Sequence, residues 1–184
     1  MCSIAALAGS ICSPRTKTSP HSAFERAMAY ALEETSVDLL SYCLMSNHWH
    51  LLLRPAGDKS FPVQEDMHFL AVARYIERNA LRARRVKRAE NWRWSSLWRR
   101  LNPAGDANRP NLALAQWPVP LPSDWVARVN QPHTAAELEA LHVSVNKGRP
   151  YGGARWQAVV TRKLGLESSF REPGRPKRKA RGGK

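Results

Sequence analysis

Two histidines with a single residue between them, His48 and His50, are the first candidates for chemistry in this sequence. In a β-strand, residues two positions apart point to the same face, so both imidazoles would project together while Trp49 points to the opposite face. Two imidazoles arranged in this way can bind one divalent ion. The pattern is short, and two half-exposed histidines on a solvated strand face are the commoner interpretation.

A tyrosine and an asparagine four residues apart, Tyr75 and Asn79, are the second candidates. On a helix, this spacing places them on one surface. Arg78 and Arg82 lie beside them and could hold a phosphate and favour the phenolate over the phenol. The alternative is an ordinary, partly exposed tyrosine among solvated arginines. At about 100° per residue, this surface is separate from the predicted apolar arc, which consists of Phe69, Val72, Ala73, Ile76, Ala80 and Ala83.

A β-hairpin and a long helix are the elements that would position these residues. Two short apolar runs, residues 37–44 and 48–54, flank Ser46-Asn47, which has turn chemistry. Residues 55–64 contain Gly, Asp and two prolines and indicate a linker. The helical periodicity that follows predicts a helix over about residues 65–85.

Capping patterns predict the other helices. Ser22 with Glu25, and Thr134 with Glu137, have the spacing of a capping box. Gly148 is expected to end the second of these helices, and a last helix is predicted from about Ala154 to Leu164, before Gly165. Residues 102–122 are rich in proline and predicted to be irregular.

The domain organisation follows from these elements. At 184 residues, the chain is long enough for one packed domain with a tail. Residues 1–20 are predicted to be a disordered or frayed N-terminus, and residues 21–101 an α+β domain. Residues 102–170 would form an irregular and helical extension, and residues 171–184 a basic, disordered tail.

The charge balance indicates a polyanionic partner. There are 29 Lys and Arg residues against 15 Asp and Glu, which gives a net charge of +14 and a pI near 10.6. Ribosomal and membrane-surface proteins share such a balance, but nucleic acid is favoured. The three cysteines have no C-x-x-C spacing, which fits the reducing cytosol and a cytoplasmic protein. The apolar stretch from Ile4 to Cys12 is too short to cross a bilayer, so no membrane association is expected.

Two basic stretches could form a DNA-binding surface. In the first, Trp92, Trp94 and Trp98 alternate with arginines, and tryptophans at these spacings are more often core residues than base-stacking platforms. The second, around Gly174-Arg175-Pro176, resembles a minor-groove arm, although a solvated basic tail is slightly preferred. The candidate contacts are Arg93, Arg99 and Arg100 in the first stretch, and Arg175, Lys177 and Arg178 in the second.

Three stretches together resemble a known family: YCLMSNHWHLLLRP (Tyr42 to Pro55), ARYIERNALRARRV (Ala73 to Val86) and NWRWSS (Asn91 to Ser96). The first resembles the metal-binding strand of the single-tyrosine HUH transposases of the insertion-sequence-200 type. The other two resemble the tyrosine helix region of the branch associated with repetitive extragenic palindromes. The resemblance implies a ferredoxin-like α/β sandwich with an antiparallel sheet.

The resemblance also implies a reaction and its residues. His48 and His50 match the ligands of Mg²⁺ or Mn²⁺, and Asn79 stands where many relatives have a glutamine that completes the metal site. Tyr75 matches the nucleophile that attacks a phosphodiester of single-stranded, hairpin-forming DNA, giving a 5′-phosphotyrosine. The chain would act as a monomer or a homodimer. Further candidate DNA contacts lie around the tyrosine: Arg78, Arg82, Arg84 and Arg85.

The sequence departs from the family pattern at two places. No first core strand is evident in residues 1–20, and only residues 55–64 bridge the histidine strand and the tyrosine helix. The sheet is therefore expected to be incomplete. Three functions stay open: a DNA transposase that nicks and rejoins single strands, an inactive remnant that binds hairpin or A·T-rich DNA, and a metal-dependent hydrolase that uses His48 and His50 with water as the nucleophile.

Overall fold

The computed structural model describes residues 4–10, 19–54, 61–103 and 109–171. Helices and a sheet are both present, which confirms the α+β class. The strands are β1 (Ile4–Ser10), β2 (Asp38–Leu44), β3 (His48–Arg54) and β4 (Phe61–Val63). The helices are α1 (Pro20–Glu33), α2 (Met67–Glu77), α3 (Asn79–Arg82), α4 (Ser96–Leu101), α5 (Trp125–Asn130), α6 (Ala135–Lys147) and α7 (Ala154–Leu164), with 3₁₀ turns at Ala89–Asn91 and Glu167–Phe170.

The four strands form one sheet in the order β2-β3-β1-β4, and every neighbouring pair is antiparallel. The predicted hairpin of β2 and β3 is confirmed. Its second strand is interior, because His50 lies opposite Cys43 of β2 and opposite Ala8 of β1. The strand that carries both histidines is therefore hydrogen-bonded along both edges.

Two sequence predictions about this sheet are wrong. Ile4–Ser10 is not a frayed terminus but the strand between β3 and β4, so the first core strand is present. Phe61–Val63, assigned to a linker, pairs with β1. β4 has only three residues, and β1 consists mainly of small apolar residues without polar–apolar alternation, so neither pattern indicated a strand. Pairing with neighbouring strands supplies the stability that these patterns do not indicate.

The sheet packs helices on both faces. Trp49 and Leu51 of β3 pack on one side with Phe24 and Met28 of α1. Leu52 packs on the other side, in the core that includes α2. Gly9, opposite Trp49, makes this possible, since a Cβ at that position would lie 2.4 Å from the Trp49 indole.

The first helix begins earlier than its capping pattern predicted. It starts at Pro20, a residue suited to a first helical turn, and Ser22 lies inside it. Glu25, predicted to complete a capping box, is instead fully buried. Its carboxylate accepts hydrogen bonds from Tyr42 and Arg109, which are far away in sequence.

The helix predicted over residues 65–85 is divided into α2 and α3 at Arg78. Asp66 caps its start by accepting a hydrogen bond from the His68 backbone N–H, at 2.8 Å. Its end is a Schellman motif, in which the backbone N–H of Arg85 donates to the carbonyl of Ala80 at 2.9 Å. Ala83, predicted as core, is exposed because it follows the last helical turn.

The C-terminal helices agree closely with the sequence patterns. Thr134 and Glu137 form the predicted capping box of α6. Gly148 and Gly165 take left-handed conformations, with φ of 64° and 65°, after α6 and α7. The short helix α5 was missed. Side chains of the extension complete the α2-side core: Trp117, Trp125, Val129, Leu141 and Tyr151.

The same extension covers both edges of the sheet. The β2 edge receives the backbone N–H of Ala115, which donates to the carbonyl of Leu39 at 2.8 Å. The β4 edge receives the N–H of Tyr151, which donates to the carbonyl of Pro62 at 2.8 Å. Covered edges do not offer a template for pairing with other chains.

Some predictions fall on residues outside the described ranges, among them Arg175, Lys177 and Arg178 of the tail. In the ranges that are described, no helix combines the length and apolar character that a membrane crossing requires.

Candidate active site

The two histidines of β3 and the tyrosine of α2 converge on one face of the sheet. The ring centroids of His48 and His50 are 5.0 Å apart, and those of His50 and Tyr75 are 5.7 Å apart. Trp49 packs on the opposite face. The expectation that alternation on one strand separates Trp49 from the histidines is confirmed.

The hydrogen bonds of the two imidazoles leave one nitrogen of each available. Nδ1–H of His48 donates to Oδ1 of Asn47 at 2.8 Å, which leaves Nε2 with its lone pair. Nε2 of His50 is buried and has no hydrogen-bond partner among the described residues. Burial above all, with the neighbouring His48 and Arg82 side chains, lowers the pKa of His50 to about 4. His50 is therefore neutral at pH 7, the form in which histidine binds a metal.

These two histidines fit a divalent cation in donor type, but their third partner is not evident. Among the described residues, no group of three His, Cys, Asp or Glu side chains could hold a metal ion. Asn79, the third ligand implied by the resemblance, is 1% exposed. Its Nδ2 has no hydrogen-bond partner in the described part of the chain. The amide is thus an unsatisfied polar group, but no contact joins it to His48 or His50.

Tyr75 is held by an arginine from the next turn. Nη2 of Arg82 donates to the Tyr75 hydroxyl at 3.2 Å, and the Arg82 guanidinium lies 4.7 Å from the centre of the Tyr75 ring. These two contacts hold the phenol ring and its hydroxyl in a fixed position beside a cation.

Tyr75 lies on a buried surface, contrary to the sequence prediction. It is 7% exposed because α6 covers it. His50, Tyr75, Leu141 and Val145 line a cavity of only about 10 Å³. Leu141 and Val145, which cover Tyr75, are at least 66 positions away in sequence. Helical periodicity around Tyr75 therefore could not indicate that Tyr75 is buried.

Two further histidines near Tyr75 were missed by the sequence analysis. The rings of His133 and His142 each lie 6.1 Å from the Tyr75 ring, and both belong to the C-terminal extension. Nε2 of His133 accepts a hydrogen bond from Nε of Arg74 at 3.2 Å. Burial and the Arg74 charge lower the pKa of His133 to about 4. No motif joins these histidines to Tyr75, and only the packing of α6 brings them together.

Three arginines share one side of α2 and α3 at intervals of four residues, Arg74, Arg78 and Arg82. Like charges at this spacing repel one another. Arg74 has a carboxylate partner, Glu137, at 2.6 Å. Burial, Arg74 and Arg82 lower the pKa of Arg78, and its Nη1 is buried with no hydrogen-bond partner among the described residues. The stripe has more positive charge than its described neighbours neutralise.

Arg84 continues this basic region with an unusual backbone. Its φ is +56°, and among the described residues only Arg84 and two glycines have a positive φ. The left-handed conformation costs an ordinary residue about 1–2 kcal/mol. The next residue, Arg85, reaches the hairpin turn, where its Nη2 donates to Oγ of Ser46 at 3.4 Å. Both side chains are exposed.

Arg99 and Arg100, predicted as DNA contacts, have internal partners instead. Nε of Arg99 donates to the Tyr42 hydroxyl at 3.0 Å. Arg100 donates through Nη2 to the carbonyl of Leu40, and its guanidinium lies 4.7 Å from the centre of the Trp117 ring. These guanidinium groups stabilise the packing around β2. The guanidinium of Arg93 lies 4.9 Å from the Trp94 ring centre.

All three tryptophans of this stretch are partly buried, and two of them, Trp92 and Trp94, pack against the core. Nε1 of Trp92 donates to the carbonyl of Leu44 at 2.9 Å, and Trp94 stacks on His21 at 5.0 Å. The Arg109 guanidinium lies 5.0 Å from the centre of the Trp98 ring. These contacts fix the α4 region against β2.

Two buried carboxylates, Glu77 and Glu25, accept the hydrogen bonds that connect the elements around β2 and α4. Glu77 accepts from Oγ of Ser96 at 2.6 Å and from Nε1 of Trp125 at 2.7 Å. Glu25 accepts from the Tyr42 hydroxyl at 3.0 Å and from Nε of Arg109 at 2.8 Å. The sequence analysis identified neither role, because every partner is distant in sequence.

Comparison of the chain with family models, with curated proteins and with solved structures found no match in any of the three.

Proposed function

We propose that this protein nicks and rejoins single-stranded DNA, with Tyr75 as the nucleophile. The observation that carries the proposal is the convergence of His48, His50 and Tyr75, which come from a strand and a helix that the sequence alone does not connect. The ring separations of 5.0 and 5.7 Å place a phenol beside two imidazoles on one face of the sheet. This is the set of groups that the resemblance to HUH transposases implies.

The chemistry follows from the groups present. The Tyr75 oxygen attacks a phosphorus atom, the bond from phosphorus to the 3′-oxygen breaks, and the 3′-oxygen leaves with a proton as a hydroxyl. The phosphotyrosine keeps the bond energy, so attack by a 3′-hydroxyl reverses the step and rejoins the strand. Arg82, which donates to the Tyr75 hydroxyl at 3.2 Å, would also lie close to the phosphate under attack and could neutralise its charge.

His48 and His50 would hold the cation that the resemblance implies, through Nε2 of each ring. Mg²⁺ or Mn²⁺, when bound there, supplies neutralisation of charge on the phosphate oxygens. The unpartnered Nε2 of His50 supports this assignment. Asn79 remains a third ligand on the resemblance alone, because its unpartnered atom is the amide nitrogen, a donor that does not bind cations.

The basic surface around the site supports DNA as the substrate. Arg78 and Arg82 repel each other along the helix, and a phosphate between them would relieve that repulsion. Arg84 and Arg85 extend the surface towards the hairpin turn. The cover formed by α6 must shift for DNA to reach Tyr75, because a cavity of about 10 Å³ admits no phosphate.

The order of elements supports a derivative of the ferredoxin-like fold. The chain begins β1-α1-β2-β3, the first four elements of the β-α-β-β-α-β pattern. The last two are exchanged, because β4 precedes α2. A parallel crossover such as the one from β3 to β4 ordinarily takes a dozen or more residues, whereas residues 55–60 are the whole connection here. A cytoplasmic location and a monomeric or homodimeric state belong to the same proposal.

A DNA-binding protein without cleavage is the second candidate. The burial of Tyr75 at 7% exposure and the lack of a third acidic, histidine or cysteine ligand among the described residues favour it. It would keep the arginine surface and the fold but form no covalent bond with DNA.

Covalent trapping distinguishes the two candidates. The protein is incubated with a hairpin oligonucleotide labelled on the 3′ side of the expected nick, with Mn²⁺, Mg²⁺ or EDTA, and the label on protein is measured after denaturation. We expect a metal-dependent adduct in the wild type, none with Tyr75→Phe, and at least a hundredfold less with His48→Ala.

Tyr30→Phe is the matched control, because Tyr30 is 66% exposed and is the more accessible phenol. It should leave the adduct unchanged. An adduct that survives Tyr75→Phe would refute the nucleophile, and binding without any adduct in the wild type would establish the second candidate. Metal-dependent cleavage with no adduct would indicate hydrolysis by water.

A further inference from the structure

The exposed face of α7 is basic and lies outside the candidate active site. Its exposed residues are Ala154, Arg155, Ala158, Val159, Arg162 and Lys163. They are three adjacent pairs spaced four positions apart, so they form one continuous face along the helix. No acidic residue occurs anywhere in α7.

The sequence from Gly148 onward is strongly basic, although five of its net positive charges belong to residues 172–184, which lie outside the described ranges. From Gly148 to the C-terminus there are 11 Lys and Arg residues and two glutamates, so this part has nine of the 14 net positive charges. Sequence pattern alone assigned that excess to the tail after residue 170. The structure places three of these cations on an ordered helical face.

One of the cations is badly placed for the stability of the helix. Arg155 is in the first turn of α7, near the positive end of the helix dipole, and that turn contains no acidic residue. Arg162 and Lys163 are in the last turn, where the dipole favours cations. The exposed Arg155 is therefore not explained by the stability of α7, and an external anion would explain it.

The start of α7 is fixed to the sheet, so the face has a defined position. Tyr151 pairs with β4, and the backbone N–H of Gly153 donates to Oε1 of Gln64 at 2.8 Å. Nε2 of Gln157 donates to the carbonyl of Pro150 at 2.9 Å. The other side of the helix is thus turned towards the protein, where Trp156 packs against Gly152.

The side chains on the face favour duplex DNA among polyanions. Single-stranded nucleic acids are bound largely by stacking on successive aromatic rings. α7 itself exposes none, and the one exposed ring described beside it, Phe170, is covered by the Arg149 guanidinium at 4.4 Å. An anionic membrane would require several large apolar groups beside the cations, and the face offers Val159 with Phe170 at its edge. Arg155 and Arg162 are about 10 Å apart along the helix axis, close to the width of about 12 Å of the major groove.

We propose that α7 is a second DNA-binding element, which holds the backbone of duplex DNA through Arg155, Arg162 and Lys163. The duplex flanks the strand that Tyr75 would cut, so the inference rests in part on the proposed function. Duplex binding itself requires neither Tyr75 nor a metal.

The test measures binding of a blunt 20-base-pair duplex by fluorescence anisotropy over a series of salt concentrations, in EDTA. The variant Arg155→Gln/Arg162→Gln/Lys163→Gln should bind at least about tenfold more weakly at 0.1 M salt. The slope of log K against log salt should fall in magnitude by about 2 to 3, since each lost phosphate contact contributes about 0.9. Arg155→Lys/Arg162→Lys should bind as the wild type does and shows that α7 tolerates substitution.

The charge-matched control is Arg26→Gln/Lys87→Gln/Arg128→Gln, which removes three cations outside α7 and should change affinity less than threefold. An equal loss in this control would overturn the proposal, because net charge alone would then explain binding. An equal loss for a single-stranded 20-mer of thymidine, or loss of binding to phosphatidylserine vesicles with duplex binding intact, would also overturn it. Tyr75→Phe should retain duplex binding, so failure of the nicking reaction leaves this result interpretable.

Discussion

The arginines of this protein fall into two groups with opposite surroundings. Around β2 and α4, Arg99, Arg100 and Arg109 contact the buried carboxylates Glu25 and Glu77. Around Tyr75, a second group comprises Arg78, Arg82, Arg84 and Arg85. Within the ranges that the structure describes, none of these four forms an ion pair with a carboxylate. Arginines of equal charge in sequence thus serve the fold in one region and remain available to a ligand in the other.

The difference has an energetic basis. A buried charge is tolerated only when a partner of opposite charge and several hydrogen bonds offset its desolvation. The first group meets that condition with internal carboxylates. In the second group Arg82, Arg84 and Arg85 are exposed to water, so only Nη1 of Arg78, buried with no hydrogen-bond partner among the described residues, bears such a cost. An anion bound from outside the chain would offset that cost.

The strongest challenge to this comparison is removal of a carboxylate from the first group. Glu77→Ala leaves Ser96 and Trp125 without their shared acceptor and Arg100 without its ion-pair partner, so we expect a loss of about 3–5 kcal/mol in the free energy of unfolding. Urea denaturation measures it. Glu77→Gln keeps a carbonyl acceptor and should lose less. A loss below about 1 kcal/mol for Glu77→Ala would mean that the first group is not structural.

Arg74 combines features of the two groups, since it has a carboxylate partner, Glu137, but lies on the same helix face as Arg78 and Arg82. It also donates a hydrogen bond to His133, and the pH dependence of stability tests that contact. His133 has a pKa of about 4 when folded, against about 6.5 when unfolded. The unfolded chain therefore takes up the proton first, and stability should fall as pH falls from about 6.5 to 4. Because His133 is partly exposed, we expect about 1–2 kcal/mol from this residue.

The measurement is urea denaturation at several pH values between 7 and 4, for the wild type and for His133→Gln. Glutamine accepts a hydrogen bond from Arg74 but does not titrate. The difference between the two proteins isolates His133 from His50, whose pKa is lowered in the same direction. If both proteins lose stability equally, the contact between Arg74 and His133 has no effect on the pH dependence.

The smallest expected effect sharpens the comparison in the second group. Arg84→Gly removes a side chain from a residue with φ of +56° and should stabilise the fold by about 1 kcal/mol. We expect it to weaken binding of the hairpin oligonucleotide by about threefold to tenfold, since one phosphate contact is lost. Thermal unfolding and anisotropy measure the two effects.

Gly165→Ala is the control, because Gly165 has the same left-handed conformation at the end of α7. Alanine there should destabilise the protein by about 1 kcal/mol without changing hairpin binding. If Arg84→Gly gains stability and keeps full affinity, Arg84 does not contact DNA.

Local patterns made part of this molecule predictable. The hairpin of β2 and β3, the capping box of Thr134 and Glu137, and the two terminal glycines depend on residues within a few positions of one another. The shared face of His48 and His50 follows from strand geometry for the same reason. Burial of Tyr75 was not predictable, because α6 comes from a distant part of the chain. The buried roles of Glu25 and Glu77 likewise depend on partners far away in sequence.

The interior position of β3 has a consequence for how the chain folds. β2 and β3 are adjacent and close a local hairpin, but β1 must pair with β3 across about 40 residues, from Ser10 with His48 to Ala5 with Leu53. Such a distant contact forms late, because the entropy of loop closure opposes it. Until β1 docks, the histidine strand has an open hydrogen-bonding edge, and open edges invite pairing between chains. Dilute refolding conditions should therefore raise the yield of native protein, since intermolecular pairing at this edge competes with docking of Ile4–Ser10.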